Sequence, residues 1–283
     1  MIKLIENYEA LGTLWYINIH DDAFGLKVEI SNIKNEILEM INTFQKLYTR
    51  FDEGSLLNKY NRGEDITENI RREYNILSEY IDPYNDLMEM IRLGEKYNHD
   101  SDGVFDIYIK DKLETIGYGK SNNSNNNKNI DLGGIGKGYL IDKIKDFLLG
   151  KGIKYFLING GGDIYLTSDN QEPIELYMEH PLEQGNYIYK IKLKDKAFCT
   201  SSSFKRSWEY KDKLYNHFVD SRKSINKNVS LLESEMIWAA AYVIGDNATV
   251  ADVYATIACI DSEQIIKMNA TPSVTSLDRK SVV

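Results

Sequence analysis

The sequence predicts an α+β fold, a mixed and largely antiparallel sheet packed with helices. Strand and helix patterns are mixed along the chain without the regular alternation of a doubly wound parallel sheet, and hairpin signals crowd the second half. Size is the third observation. The chain has 283 residues, 42% of them hydrophobic, enough for a real core. No linker divides it and no internal repeat is visible, so one domain over residues 1–283 is expected.

Thr13 to Ile19 is rich in aromatic and β-branched residues and reads as a strand. Ile33, Ile37, Met40, Ile41, Phe44 and Leu47 recur at helical spacing, which predicts an amphipathic helix of about four turns. Asp82-Pro83 is a helix start, an N-cap acid followed by Pro at the first helical position. Leu87, Met90, Ile91 and Gly94 then line one face. Ser121 to Asn129 is polar and low in complexity, with nothing to bury, and reads as a surface loop. Leu140, Ile141, Ile144, Phe147 and Leu148 mark a helix that Gly150 ends. Tyr155 to Ile158 is a buried strand, turned by Asn159 to Asp163. Ile174 to Met178 and Tyr187 to Leu193 alternate as strands do. Trp208 to Val219 reads as a hairpin with Lys211, Asp212 and Lys213 at its tip. The last predicted helix runs from about Ala248 to Ile260.

The formal charge of −9 and the pI near 5.1 exclude attraction to nucleic acid or anionic membranes through the overall field. Cys199 and Cys259 form no CxxC pair, so neither a zinc site nor a disulfide framework is suggested. No apolar run is long enough to span a bilayer. The N-terminal stretch is interrupted by acids and lacks a small-residue cleavage site, unlike a signal peptide. The expected location is the cytoplasm, or outside it if an export signal has been removed.

The most informative stretch is DLGGIGKGYLID, Asp131 to Asp142, a glycine-rich loop that runs into a helix. Glycines let the backbone approach a ligand, and a helix start offers unpaired N–H groups to phosphate. It is neither standard phosphate loop, because Gly138 follows Lys137 where a Walker loop needs Ser or Thr, and Tyr139 stands where a dinucleotide loop needs its last Gly. Val250 to Ile260 is apolar almost all round, yet it carries Asp252 and Thr256 one turn apart on one face. A buried carboxylate needs a cation, a donor or a metal. Carboxylate plus hydroxyl suits Mg2+ shared with a phosphate ligand, whereas an Asp in the first turn also simply complements the helix dipole. His217 stands in YNHFVDSR as either a base or a structural residue. Lys137 either pairs with phosphate or is solvated. The Asn159–Asp163 turn either cradles a ligand or is a bare glycine turn. His20, His99 and His180 have no supporting context.

Taken together, these segments resemble the FAD:protein FMN transferase family, also called ApbE. LGTLWYI at Leu11 is similar to the family's opening "MGT" strand, and FDEGSLLNKYN at Phe51 to "YDPxSELSxLN". DGVFDI at Asp102 resembles "DGxFD", and IGYG at Ile116 resembles "WGFG". DLGGIGKGYLID is nearly "DLGGIAKGYAxD", and NGGGDI at Asn159 is similar to "NxGGDI". TSSSFKR at Thr200 resembles "TSGxYxR", HFVDSR at His217 resembles "HIIDPR", and ADVYAT at Ala251 resembles "ADALAT". Any one of these is weak; nine in family order are specific.

The resemblance implies transfer of the FMN half of FAD to a Ser or Thr hydroxyl of an acceptor flavoprotein, with AMP leaving. It implies Mg2+ held by Asp252, Thr256 and a backbone carbonyl of the glycine loop, assigned to Gly134. It makes His217 the base, unperturbed and largely neutral at pH 7. Leu11, Phe51, Val104, Phe105, Asp106, Asp131, Lys137 and Val219 would contact FAD. The chain also departs from the pattern. Ser202 stands for Gly in "TSG", Ser221 stands for Pro in "DPR", and the Thr-Gly that usually follows is missing. The segment from His217 to Asp252 is longer than usual and the stretch before Asp131 shorter. Two other readings use the same residues: an FAD pyrophosphatase, with water replacing the acceptor hydroxyl, and a passive flavin-binding module, which would need no base.

Overall fold

The structure is a computed structural model that describes residues 2–20, 27–67, 70–119, 129–168, 172–183, 185–203, 206–223, 239–268 and 273–277, with backbone only for 27–29 and 273–277. Among these residues seven strands form one sheet, antiparallel at every described pairing. In sheet order they are β1 (Ile2–Ala10), β2 (Thr13–Ile19), β3 (Phe156–Gly160), β4 (Asp163–Thr167), β7 (Lys196–Ser202), β10 (Ala240–Gly245) and β11 (Ser273–Leu277). Two hairpins stand apart: β5 (Ile174–Glu179) with β6 (Tyr187–Leu193), and β8 (Ser207–Tyr210) with β9 (Lys213–Asn216). The expected α+β class is the observed one.

The strand period of two sorts side chains onto the sheet's faces. Trp15, Ile17 and Ile19 of β2 join a large core with Ile37, Met40, Ile41 and Phe44 of α1 (Lys27–Tyr48) and with Ile141, Ile144 and Phe147 of α6 (Gly136–Gly150). On the opposite face Ile164, Leu166, Phe198, Ala240 and Tyr242 meet Leu176 and Met178 of the β5–β6 hairpin. β4 is therefore buried at every position, Tyr165 toward the helices and Ile164 and Leu166 toward the hairpin. α7 (Ala248–Ile260) lies on the helical side beside α6, and α4 (Pro83–Asp100) carries Leu87, Met90 and Ile91 into the same core. α4 starts where Asp82-Pro83 places it, with the Asp82 side chain accepting from the Asn85 N–H. Its Gly94 fits because a Cβ there would come within 2.7 Å of Ile107.

Several elements differ from the sequence expectation. α1 has 22 residues, about six turns instead of four, because its N-terminal part lies outside the apolar repeat. β1 carries register shifts between Lys3 and Tyr8, with Asn7 at φ 55°, so its bulges break the alternation that would mark a strand. β7 and β10 are built partly from Ala, Ser and Cys, which give a weak strand signal. The short helices α2 (Leu56–Asn61), α3 (Ile70–Glu73) and α5 (Lys110–Thr115) lack a readable period, and α8 (Ser262–Lys267) follows the helix expected to be last. The turn expected at 159–163 is narrower, Gly161 and Gly162 alone, both at positive φ. Of the expected polar loop, 121–128 lies outside the described residues. Asn129, the last residue of that stretch, is buried and donates to Asp111 instead of lying on the surface.

Candidate active site

One cavity of about 1080 Å3 opens between the ends of the sheet, the glycine loop and the residues that flank the β8–β9 hairpin, Arg206 and His217 to Val219. Leu11, Phe51, Val104, Phe105, Asp106, Asp131, Gly134, Lys137, His217, Val219, Asp252 and Thr256 all line it. These are all of the residues that the family resemblance assigns to the site. Small-molecule pockets run to about 1,000 Å3, so this one has room for a ligand of dinucleotide size.

The glycine loop folds onto α7 because Gly138 permits it. A Cβ at Gly138 would lie 2.4 Å from the Ala248 carbonyl oxygen, so only glycine lets the two helix starts touch. Asp142 fixes the contact one turn later. Its carboxylate accepts from the Ala248 N–H at 3.0 Å, and from the Thr249 N–H at 2.8 Å and hydroxyl at 2.6 Å. That arrangement brings Asp252 under the start of α6, where it accepts from the Gly138 N–H at 3.1 Å. The positive end of the helix thus receives a carboxylate of the protein itself, not an open phosphate seat as the loop alone suggests.

Asp252 is 2% exposed. Burial, reinforced by Asp163, pushes its pKa up, while Lys137 and the Gly138 N–H oppose that rise. The Lys137 ammonium lies 3.4 and 3.5 Å from the two Asp252 oxygens and makes its shortest contact with Asp163. Burial lowers the Lys137 pKa, but the two carboxylates outweigh it and hold the group protonated. Two carboxylates facing one ammonium leave a formal charge of −2 + 1 = −1. Beside them, a Cβ at Gly134 would come 3.6 Å from the Thr256 hydroxyl oxygen and 3.1 Å from the Phe105 ring. Asp252, Thr256 and Gly134 line the same cavity, the first two with hard oxygen donors in their side chains and Gly134 packed beside Thr256. This set fits Mg2+ better than a soft metal.

His217 follows β9, and its Nδ1 lies 3.5 Å from the Arg206 carbonyl. A carbonyl only accepts, so this contact favours the proton on Nδ1 and leaves the Nε2 lone pair for a substrate. Burial first and the Arg206 charge second push the His217 pKa down to about 3. The unperturbed imidazole expected from sequence is corrected: the ring is neutral well below its usual range.

The remaining wall has two characters. Val104, Phe105 and Val219 are buried and apolar. Phe51 is 66% exposed, so a ring on the cavity wall is free for stacking on a flat ligand. Behind it the Arg50 guanidinium lies 4.5 Å from the Phe51 ring and 4.6 Å from that of Tyr118, which stacks on Trp208 at 4.6 Å. Arg50 also binds Asp131 at 2.5 Å, and the Gly133 N–H donates to Asp131 at 2.7 Å. Asp131 therefore shapes the loop while lining the cavity. Leu11 sits at φ 52° beside Gly12 at φ 68°, a left-handed pair that turns β1 into β2, and Arg206 donates to both carbonyls.

Sequence reading missed Asp142, Asp163, Arg50, Arg206 and Tyr118. Asp142, Asp163, Arg206 and Tyr118 stood inside recognised motifs, and that was their signal, whereas Arg50 is brought in by folding alone.

An antiparallel sheet with a glycine-loop helix packed on a buried helix that carries Asp252, beside one large cavity, defines an α+β protein with a built site. The ApbE family model matches residues 11–128 and 118–275, so the chain belongs to the ApbE family. Among curated relatives, the FAD:protein FMN transferase of Buchnera aphidicola is 22% identical over 82% of this chain and 74% of its own length. The protein of that name from Vibrio cholerae is 30% identical over 35% of this chain and 31% of its own length. Among solved structures, the flavin transferase ApbE of Vibrio cholerae superposes with a TM-score of 0.71 at 15% identity, covering 95% of this chain and 91% of that one. The ApbE protein of Thermotoga maritima gives 0.72 at 20% identity over 95% and 92%. Both likenesses concern the fold.

Proposed function

We propose that this chain is an FAD:protein FMN transferase that moves the FMN half of FAD onto a Ser or Thr hydroxyl of an acceptor flavoprotein. The observation that carries the reading is the convergence of Asp252, Thr256 and Gly134 with His217 on one cavity of about 1080 Å3. The same reading takes residues 1–283 as one transferase domain and Leu11, Phe51, Val104, Phe105, Asp106, Asp131, Lys137 and Val219 as its FAD contacts.

Asp252, Thr256 and the Gly134 carbonyl would hold Mg2+, which when bound neutralises charge on phosphoryl oxygens. Phe51 offers its exposed ring to a flat part of FAD, and the buried Val104, Phe105 and Val219 exclude water from the apolar wall. His217 Nε2 takes the proton of the acceptor hydroxyl as its oxygen bonds to the FMN phosphorus. The bond from that phosphorus to the AMP phosphate breaks, and AMP leaves. The environment keeps the imidazole neutral, the state this step needs, while the same depression of its pKa makes the ring a weaker base than an ordinary histidine.

The test is incubation with FAD, Mg2+ and a Ser/Thr-bearing acceptor, measuring AMP, free FMN and protein-bound flavin. Bound FMN should account for most of the AMP. Equal AMP and free FMN with no flavinylated protein would replace transfer by FAD pyrophosphatase chemistry. No product with any divalent metal would leave a passive flavin-binding protein.

A further inference from the structure

Asp163 has no place in the metal set or the proton transfer, yet both of its carboxylate oxygens are committed. It is 1% exposed, at the start of β4, directly after the Gly161-Gly162 turn. One carboxylate oxygen accepts from the Thr200 N–H at 3.0 Å, which fixes its direction from the neighbouring strand. The other makes the short contact to the Lys137 ammonium. Lys137 is therefore shared unequally, closest to Asp163 and 3.4–3.5 Å from Asp252.

An ammonium that moved fully onto Asp252 would take the place of a metal. The Gly138 N–H already occupies one side of that carboxylate, so a second full donor would leave it little to offer a cation. We infer that Asp163 is a positioning residue for the metal site: it draws the Lys137 ammonium aside and so keeps the Asp252 carboxylate available to a divalent cation. The inference rests on the proposed Mg2+ role of Asp252.

Charge arithmetic gives it a distinctive signature. The three groups sum to −1 in the native protein, to 0 in Asp163→Asn, to −2 in Lys137→Met, and again to −1 in the double variant. Partners that orient metal ligands typically contribute 10–100-fold in affinity. Mn2+ binding to the full-length, flavin-free protein, followed by electron paramagnetic resonance with Mg2+ in competition, reads this directly.

Asp163→Asn should weaken Mn2+ binding by about 10–100-fold. Lys137→Met should bind at least as tightly as the native protein. The double variant should recover to within about threefold of native affinity, since the misplaced ammonium is gone. Were Asp163 only an anchor for Thr200, the double variant would stay as weak as Asp163→Asn, and the inference would fall. It would also fall if Asp163→Asn bound Mn2+ as the native protein does. Native protein that binds no Mn2+, or Asp252→Asn that binds it normally, would instead overturn the metal assignment on which the inference rests. Thermal unfolding of each variant separates loss of fold from loss of the site.

Discussion

Gly138→Ala tests whether the helix contact builds the site. The new Cβ would stand 2.4 Å from the Ala248 oxygen and 2.8 Å from both the Ala248 carbonyl carbon and the Thr249 Cα. Ordinary contact begins at 3.4 Å, so α6 and α7 must part by 3.4 − 2.4, about 1 Å. Those obstacles are backbone and cannot rotate away. Overpacking of this kind costs about 1–3 kcal/mol, and the upper end applies here. Alanine recovers up to about 1 kcal/mol through helix propensity. The net loss is about 2 kcal/mol, which at about 2–4 °C per kcal/mol lowers Tm by roughly 4–8 °C. Activity should fall further than stability, because the Gly138 N–H bond to Asp252 is what the shift breaks. A displacement of about 1 Å in a reacting geometry can cost about 100-fold. Differential scanning calorimetry gives Tm, and AMP release with flavinylation gives turnover. Gly150→Ala is the control, since nothing lies within 4 Å of its Cβ position. A Gly138→Ala protein with native Tm and native turnover would refute the reasoning, as would an equal loss in the control.

Asp252→Asn should abolish flavin transfer at limiting Mg2+ while the far-UV circular dichroism stays native, and Thr256→Val should be milder because a hydroxyl contributes less than a carboxylate; near-native turnover of Asp252→Asn would remove the metal assignment. His217→Ala should leave FAD affinity nearly unchanged in a fluorescence titration and slow flavinylation by roughly 10²–10⁴-fold. With its folded pKa depressed to about 3, His217 should give no rising limb in the rate between about pH 5 and 8, and a limb centred near 6.5 would show that its burial is lost on binding. The same shift affects stability: below about pH 6.5 the unfolded chain binds the proton that the folded one refuses, so this contribution is complete above that pH and is lost progressively as pH falls toward 3. Asp142→Asn leaves at least one of the Ala248 and Thr249 donors without its charged acceptor, and should lower stability by about 1–3 kcal/mol in urea unfolding.

The sequence by itself determined the elements with a strong period and the motifs with a fixed order. The apolar repeat from Ile33 to Leu47 and the Asp82-Pro83 start are local features, set by neighbours along the chain, and they stand where the sequence places them, while the hairpin tip narrows to Lys211 and Asp212 because Lys213 pairs with Tyr210. All the candidate site residues meet on one cavity because the motifs that carry them are short and rigid at the ends of such elements. What the sequence could not determine is how charges and backbones meet across distance. Asp252 lies 114 residues from the Gly138 N–H that caps it and 115 from the Lys137 ammonium it shares with Asp163. A carboxylate in an apolar helix reads equally as a metal ligand or a dipole partner until those groups are in place. His217 looks like an ordinary imidazole in sequence and becomes a strongly depressed one only when folding sets it, half-buried, beside Arg206. Local chemistry fixed which groups are present, and tertiary packing fixed their charge states, because desolvation and Coulomb energy depend on what surrounds a group in space, not on what precedes it in the chain.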